Sequence, residues 1–151
     1  MPDTMTPEAR SQVMRAVRSR DTRPELLLRR HLWAAGLRGY RVHVKWLPGT
    51  PDLAYGRWKV AVFVDGTFWH GDPRRWHPER ASDYWREKIA RNQLRDASTN
   101  AALVDSGWVV VRIWDTDLLR RPAAAVEEVR VALSSVGWTP SLAQAVTAVG
   151  R

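Results

Sequence analysis

Apolar positions follow two rhythms along the chain. Leu28, Leu32 and Ala35 recur at helical spacing between Thr22 and Gly36. They predict a helix with threonine at its cap, Glu25 three residues on as in a capping box, and glycine at its stop. Upstream, Thr6-Pro7-Glu8 is a second helix start, hydroxyl before proline. Ala9, Val13, Met14 and Val17 follow at helical spacing among Arg10, Arg15, Arg18 and Arg20, which predicts a basic helical arm. The second rhythm is extended. Tyr40 to Val44 reads as a strand, Leu47 to Pro51 as a loop, Asp52 to Tyr55 as a short strand and Gly56-Arg57 as a turn. Trp58 to Val64 is apolar without polar alternation, the mark of a central strand. An arginine- and proline-rich loop from Gly71 to Ala81 leads into a long helix, Ser82 to Val104, with Trp85, Ile89 and Leu94 inward. Gly107 ends it, Trp108 to Ile113 is another buried strand, Pro122 to Leu133 a last helix, and Ser134 begins a weakly structured tail.

Helix, three strands, helix, strand, helix is an α/β order. A helix that returns the chain to a strand beside earlier ones makes a right-handed crossover, giving a mixed sheet flanked by helices with the loops around Asp52 and Asp65 close together. The expected organisation is a basic arm over 1–20, a folded domain over 21–137 and a tail over 138–151. With 151 residues and no repeats, one core is expected.

Charge then narrows the partners. The net charge is +8, and lysine occurs only at 45, 59 and 88, so arginine carries nearly all of it. Arginine forks bind phosphate and stack on bases, and a basic small domain carries the electrostatic footprint of a polyanion. The nine tryptophans add flat surfaces for stacking, although most are expected in the core. No segment is apolar for long enough to span a bilayer, the N-terminus does not read as a signal peptide, and the absence of cysteine excludes disulfides and thiolate metal sites. The default compartment is the cytoplasm.

Candidate chemistry concentrates in FVDGTFWHGDPRRWH, Phe63 to His77. Hairpin pairing can bring Asp52 beside Val64, and a carboxylate with a main-chain carbonyl suits magnesium, which can activate water against a phosphodiester. Aspartate also caps turn amides routinely, and spacing alone leaves both roles open. His70 titrates nearest neutrality and is the best general base, read together with Asp52 and Asp65. Phe68 and Trp69 either wedge into a base stack or pack under the loop that follows. Glu25 is fully explained by its capping box and Met14 by its apolar stripe. Asp72 and His77 are weak metal candidates, and His31 and His43 read as structural.

MRAVRSRDTRPELLLRRHLWAAGLRGYRVH, LPGTPDL, VAVFVDGTFWHG, YWREKIARN with RD after it, and GWVVVRIWD occur in one order over about Met14 to Leu118. Together they resemble the very-short-patch-repair (Vsr-type) mismatch endonucleases, a divergent branch of the restriction-endonuclease-like fold. The resemblance implies a magnesium-dependent enzyme that nicks one strand of double-stranded DNA beside a T:G mismatch. It implies Asp52 and the Val64 carbonyl as metal ligands, His70 as the catalytic histidine, and Asp65, Asp96 and Glu25 as active-site acids. It further implies Phe68 and Trp69 as an aromatic wedge and Met14 as an arm residue entering the duplex from the other groove. Arg15, Arg18, Arg20, Arg74 and Arg75 are the expected phosphate contacts. A monomer in the bacterial cytoplasm, associated with the nucleoid, is expected, with mismatch-repair proteins or a methyltransferase as possible partners.

One departure is concentrated. Where the family holds a structural zinc on cysteines and a histidine, this chain reads Thr67, Asp72, Arg74 and Thr116. No structural zinc is therefore expected, and Trp76 and an arginine paired with Asp72 are the candidates to stabilise the loop instead. The same departure leaves two rivals to mismatch repair: a restriction or defence nickase that needs no mismatch, and a non-catalytic DNA-binding module.

Overall fold

The computed structural model describes residues 6–7 and 21–141; Met14, Arg15, Arg18 and Arg20 of the expected arm, and the end of the expected tail, lie outside the described residues. Its frame is a four-stranded sheet in the order β1-β2-β3-β4. The strands are β1 (Arg41–Val42), β2 (Leu53–Tyr55), β3 (Val60–Asp65) and β4 (Val109–Trp114). β1, β2 and β3 pair antiparallel in sequence, whereas β3 and β4 are parallel. The parallel pair requires a crossover, supplied by α2 (Asp83–Asp105). α1 (Arg23–Ala34) precedes the sheet, and α3 (Asp115–Arg120) and α4 (Pro122–Ser135) follow it. This is the mixed sheet flanked by helices expected from the sequence.

Period-two alternation along the strands sorts the residues onto two faces. Val60 and Val62 of β3 and Val111 and Ile113 of β4 join Leu28, Leu32, Leu118, Val129 and Leu133 in the larger core, so α1, α3 and α4 cover that face. Ala61 and Phe63 point the other way, to Leu103 of α2, with Leu47, Trp108 and Val110 against them. Asp65 continues the second series at the carboxyl end of β3, and Arg112 continues it on β4. The register Phe63↔Arg112 therefore puts a charged side chain on the α2 face, beside the end of β3.

Several boundaries differ from expectation for local reasons. β1 ends at Val42 because His43 is left-handed (φ 47°), although the His43 and Val44 amides still donate to the Asp52 and Pro51 carbonyls at 3.1 Å. β3 starts at Val60 because Lys59 is also left-handed (φ 53°). Leu94 is 72% exposed, not inward; it stands five residues beyond Ile89, about 140° around the helix. A short helix, Asp115–Arg120, fills the stretch between the last strand and the last helix, to which the sequence pattern assigns no element. Trp138, expected in the weak tail, packs on the larger core and its amide donates to the Leu133 carbonyl at 3.0 Å.

Two glycines fix loops against α2. Gly49 (φ +74°) would place a Cβ 2.4 Å from Thr99 Cγ2, and Gly71 (φ +64°) would place one 2.7 Å from Ile89 Cγ2. Any side chain at either position adds a clash to an unfavourable backbone conformation. The loop carrying Asp52 and the loop carrying His70 are thereby held at separate points along one helix, near Thr99 and near Ile89.

Candidate active site

A cleft of about 660 Å³ opens where these two loops meet the carboxyl end of β3, lined by Glu25, His43, Asp52, Val64, Asp65, His70, Asp96 and Arg112 among others. Asp52 precedes β2, and the pairing Leu53↔Val62 puts it next to β3 on the α2 face. Its Oδ2 accepts a 2.6 Å hydrogen bond from the Val64 amide. The turn-capping and site-building roles of Asp52 are thus compatible, since one oxygen closes the ladder while the carboxylate lines the cleft.

The electrostatics of Asp52 are unusual. Burial raises its pKa; the Val64 hydrogen bond opposes this, Glu25 and Asp65 add repulsion, and the result is about 7. Among the described residues Asp52 has no ion-pair partner. Asp65 is 5% exposed, and burial raises its pKa too, opposed by His70 and Arg112.

His70 lies in the turn after β3. Its Nδ1 is 2.5 Å from Asp96 Oδ2 and 3.9 Å from Asp65 Oδ1. A carboxylate on Nδ1 accepts the N–H from that nitrogen and leaves Nε2 as the basic one. Asp96 comes from the middle of α2. Trp85, Ile89 and Leu103 are buried at the two ends of that helix, but between them the inward positions are polar. Asn92 donates to the Trp69 carbonyl at 2.7 Å, Gln93 to the Gly71 carbonyl at 3.2 Å, and Asn100 accepts from Arg112 Nε at 2.7 Å.

Glu25 does more than the capping box requires. Its amide donates to Thr22 Oγ1 at 3.4 Å, and its Oε2 accepts from the Asp21 amide at 2.8 Å. The carboxylate is 6% exposed and faces the cleft. His43 lines the same wall, 3.1 Å from both Asp21 Oδ1 and Arg29 Nη2 and 3.8 Å from Glu25 Oε2. His31 does not line the cleft. His43 (φ 47°) and Thr50 (φ 48°) both hold left-handed backbone there, a strain of order 1–3 kcal/mol that clusters at functional sites.

Phe68 and Trp69 belong to an aromatic cluster beside the loop that follows β3. Phe68 is 47% exposed, yet its ring meets Trp69, Trp76 and Trp85 edge-on at centroid distances of 5.1, 6.2 and 5.2 Å. Trp85, expected only as core, is the buried support of this cluster.

The four positions without zinc ligands are joined by hydrogen bonds. Thr67 Oγ1 donates to Asp115 Oδ1 at 2.7 Å and lies 2.9 Å from Thr116 Oγ1. Arg74 grips the fully buried Asp72 through Nε (3.0 Å) and Nη2 (2.6 Å), and Nη2 reaches Asp117 at 2.9 Å. The loop after β3 is thereby tied to α3. The arginine expected to pair with Asp72 is Arg74, while the neighbouring Arg75 is exposed. His77 pairs with Glu79 at 3.3 Å, away from Asp72.

Arg112 has no counterpart in the expected site. Its signal was visible as one arginine in the otherwise apolar run VVVRIW, but only the register shows what it touches.

A family model described as DNA mismatch endonuclease Vsr matches residues 2–76. The Type II nicking enzyme V.HpaIIP of Haemophilus parainfluenzae is 42% identical over 135 residues, covering 87% of this chain and 95% of that protein. The Type II nicking enzyme V.NmeDIP of Neisseria meningitidis serogroup C is 40% identical over 136 residues, 87% and 90% of the two chains. The DNA mismatch endonuclease Vsr of Escherichia coli K12 is 34% identical over 127 residues, 80% and 78% of the two chains.

Proposed function

From the premise that this chain belongs to the Vsr family of DNA endonucleases, we propose that it nicks one strand of duplex DNA beside a T:G mismatch, with magnesium as cofactor. Asp52 and the Val64 carbonyl would hold the ion. The fit is supported by a buried carboxylate repelled by Glu25 and without an ion-pair partner among the described residues; a carboxylate and a main-chain carbonyl are oxygen donors suited to a hard cation. Magnesium bound there supplies Lewis-acid polarisation of the scissile phosphate. His70 Nε2 takes the proton from the attacking water, and Asp96 on Nδ1 fixes the tautomer and stabilises the imidazolium that forms. Phe68, backed by Trp76 and Trp85, wedges into the stack, which opens most readily at a mismatch. Arg75 and the arginines of the arm hold phosphates, a contribution that weakens steeply with salt.

The observation that carries this function is the cleft itself, lined on one side by Asp52 and Val64 and on the other by the His70–Asp96 pair at 2.5 Å. The test is nicking of labelled duplexes with magnesium, T:G against T:A in the same context and across a set of flanking sequences. Cutting of T:G alone is expected.

A second function, nicking of a fully paired site in restriction or defence, is favoured by the Type II nicking names of several relatives at 37–42% identity. Equal cutting of T:G and T:A duplexes would select it.

A further inference from the structure

The geometry points to Arg112 as the positioning residue of this active site, holding Asp96 and Asp65 so that His70 presents one nitrogen to the reacting water. The inference rests on the proposed role of His70 as base. Asp65, His70 and Asp96 bring their ligand atoms within 4.8 Å of one another. Two carboxylates beside one imidazole repel each other and compete for the same Nδ1 proton. Arg112 resolves both problems. Its Nη1 bridges Asp65 Oδ1 and Oδ2 at 2.9 and 3.1 Å and stands 3.7 Å from Asp96 Oδ1. Asp96 is thus hydrogen-bonded at Oδ2 by His70, while its Oδ1 faces the guanidinium charge at ion-pair distance. Asp65 is drawn to the arginine and stays 3.9 Å from the imidazole, so Asp96 alone orders the ring. The guanidinium is itself fixed, by Asn100 on Nε at 2.7 Å and by the Phe63 ring 4.1 Å beneath its carbon. Three elements, β3, β4 and α2, are thereby locked around one planar cation. Lysine, a point charge without a fork, cannot meet Asn100 and both carboxylates together.

The test measures single-turnover nicking and DNA affinity separately for Arg112→Ala, Arg112→Lys, Asp96→Asn and the Arg112→Ala/Asp96→Asn double variant. Arg112→Ala is expected to nick roughly 100-fold more slowly, within the range set by a lost acid–base pair, with DNA affinity unchanged. Arg112→Lys should fall between it and the native chain. The double variant should be little slower than Asp96→Asn alone, because the arginine acts through that carboxylate. Guanidinium ion, supplied at matched ionic strength, should restore part of the Arg112→Ala rate, since Arg112 lines the open cleft. Native rates in Arg112→Lys, or fully additive losses in the double variant, would overturn the inference. The Lys variant keeps the charge and carries the test if the Ala variant does not fold. His70→Ala separates the two levels: a native rate there defeats the assignment of the base, whereas a slow His70→Ala beside a fast Arg112→Ala defeats the role of Arg112 alone.

Discussion

Asp52→Asn should abolish nicking and, at the same time, stabilise the metal-free protein. The variant is isosteric and keeps an oxygen to accept the Val64 amide, which Asp52 holds at 2.6 Å. What it removes is a buried charge. The Asp52 pKa stands at about 7, against an ordinary 3.8, because of burial and then repulsion from Glu25 and Asp65. The folded chain therefore retains a proton that the unfolded chain has lost between these two values. Native stability falls through this group as pH rises from about 4 to about 7, and the penalty is constant above. Three pH units at 1.36 kcal/mol each set a ceiling of about 4 kcal/mol. Because the repulsion is shared with Glu25, which relaxes when Asp52 is neutral, about 2 kcal/mol is expected at pH 8.5. For a domain of this size that raises the melting temperature by about 5 °C. The assay is thermal unfolding of both chains in chelator at pH 4.5 and 8.5, then with saturating magnesium. The difference should be large at pH 8.5, small at pH 4.5, and reduced or reversed by magnesium, which binds the native carboxylate better. A variant less stable than the native chain at pH 8.5, or a gain independent of pH, would refute the account of Asp52 as a cation-seeking carboxylate.

Three further outcomes are expected. His70→Ala should slow nicking by about 10²- to 10⁴-fold, the usual contribution of a general base, while gel-shift affinity for the same duplex is retained. Phe68→Ala should weaken opening of the duplex by about 1–3 kcal/mol, the range for base–aromatic stacking, read as loss of the fluorescence rise from a 2-aminopurine beside the mismatch. Chelation should leave the melting temperature unchanged in a buffer free of added metal, whereas Asp72→Ala, which breaks the link through Arg74 to Asp117, should lower it by several degrees; stoichiometric zinc in the purified protein would overturn this account of the loop.

The sheet and its three long helices were legible in the sequence because their signals are local. Continuous apolar runs marked β3 and β4, and the threonine cap with Glu25 marked the start of α1. The misplacements occur where one backbone angle outweighs a propensity, as at His43 and Lys59. Leu94 is exposed because the inward stripe of α2 is not apolar along its whole length. That stripe is polar in the middle, at Asn92, Asp96 and Asn100, and the interruption is what lets the helix border a cleft.

The site was half legible for a related reason. Asp52, Asp65 and His70 stand out by type at a strand end, but His43 and Arg112 each admit an ordinary explanation when taken alone. A histidine after a short strand and one arginine among valines carry no chemistry until the register is known. The pairing Phe63↔Arg112 converts the second into a statement about charge. Alternation then puts Arg112 on the face of Asp65, and the crossover through α2 puts Asp96 and Asn100 there too. An isolated guanidinium in a strand would be a burial penalty of several kcal/mol. With two carboxylates, an amide and an aromatic ring around it, the same residue is offset on every side. A charge kept in a strand otherwise made of apolar residues is thus best explained by what it holds in place rather than by the stability of the sheet.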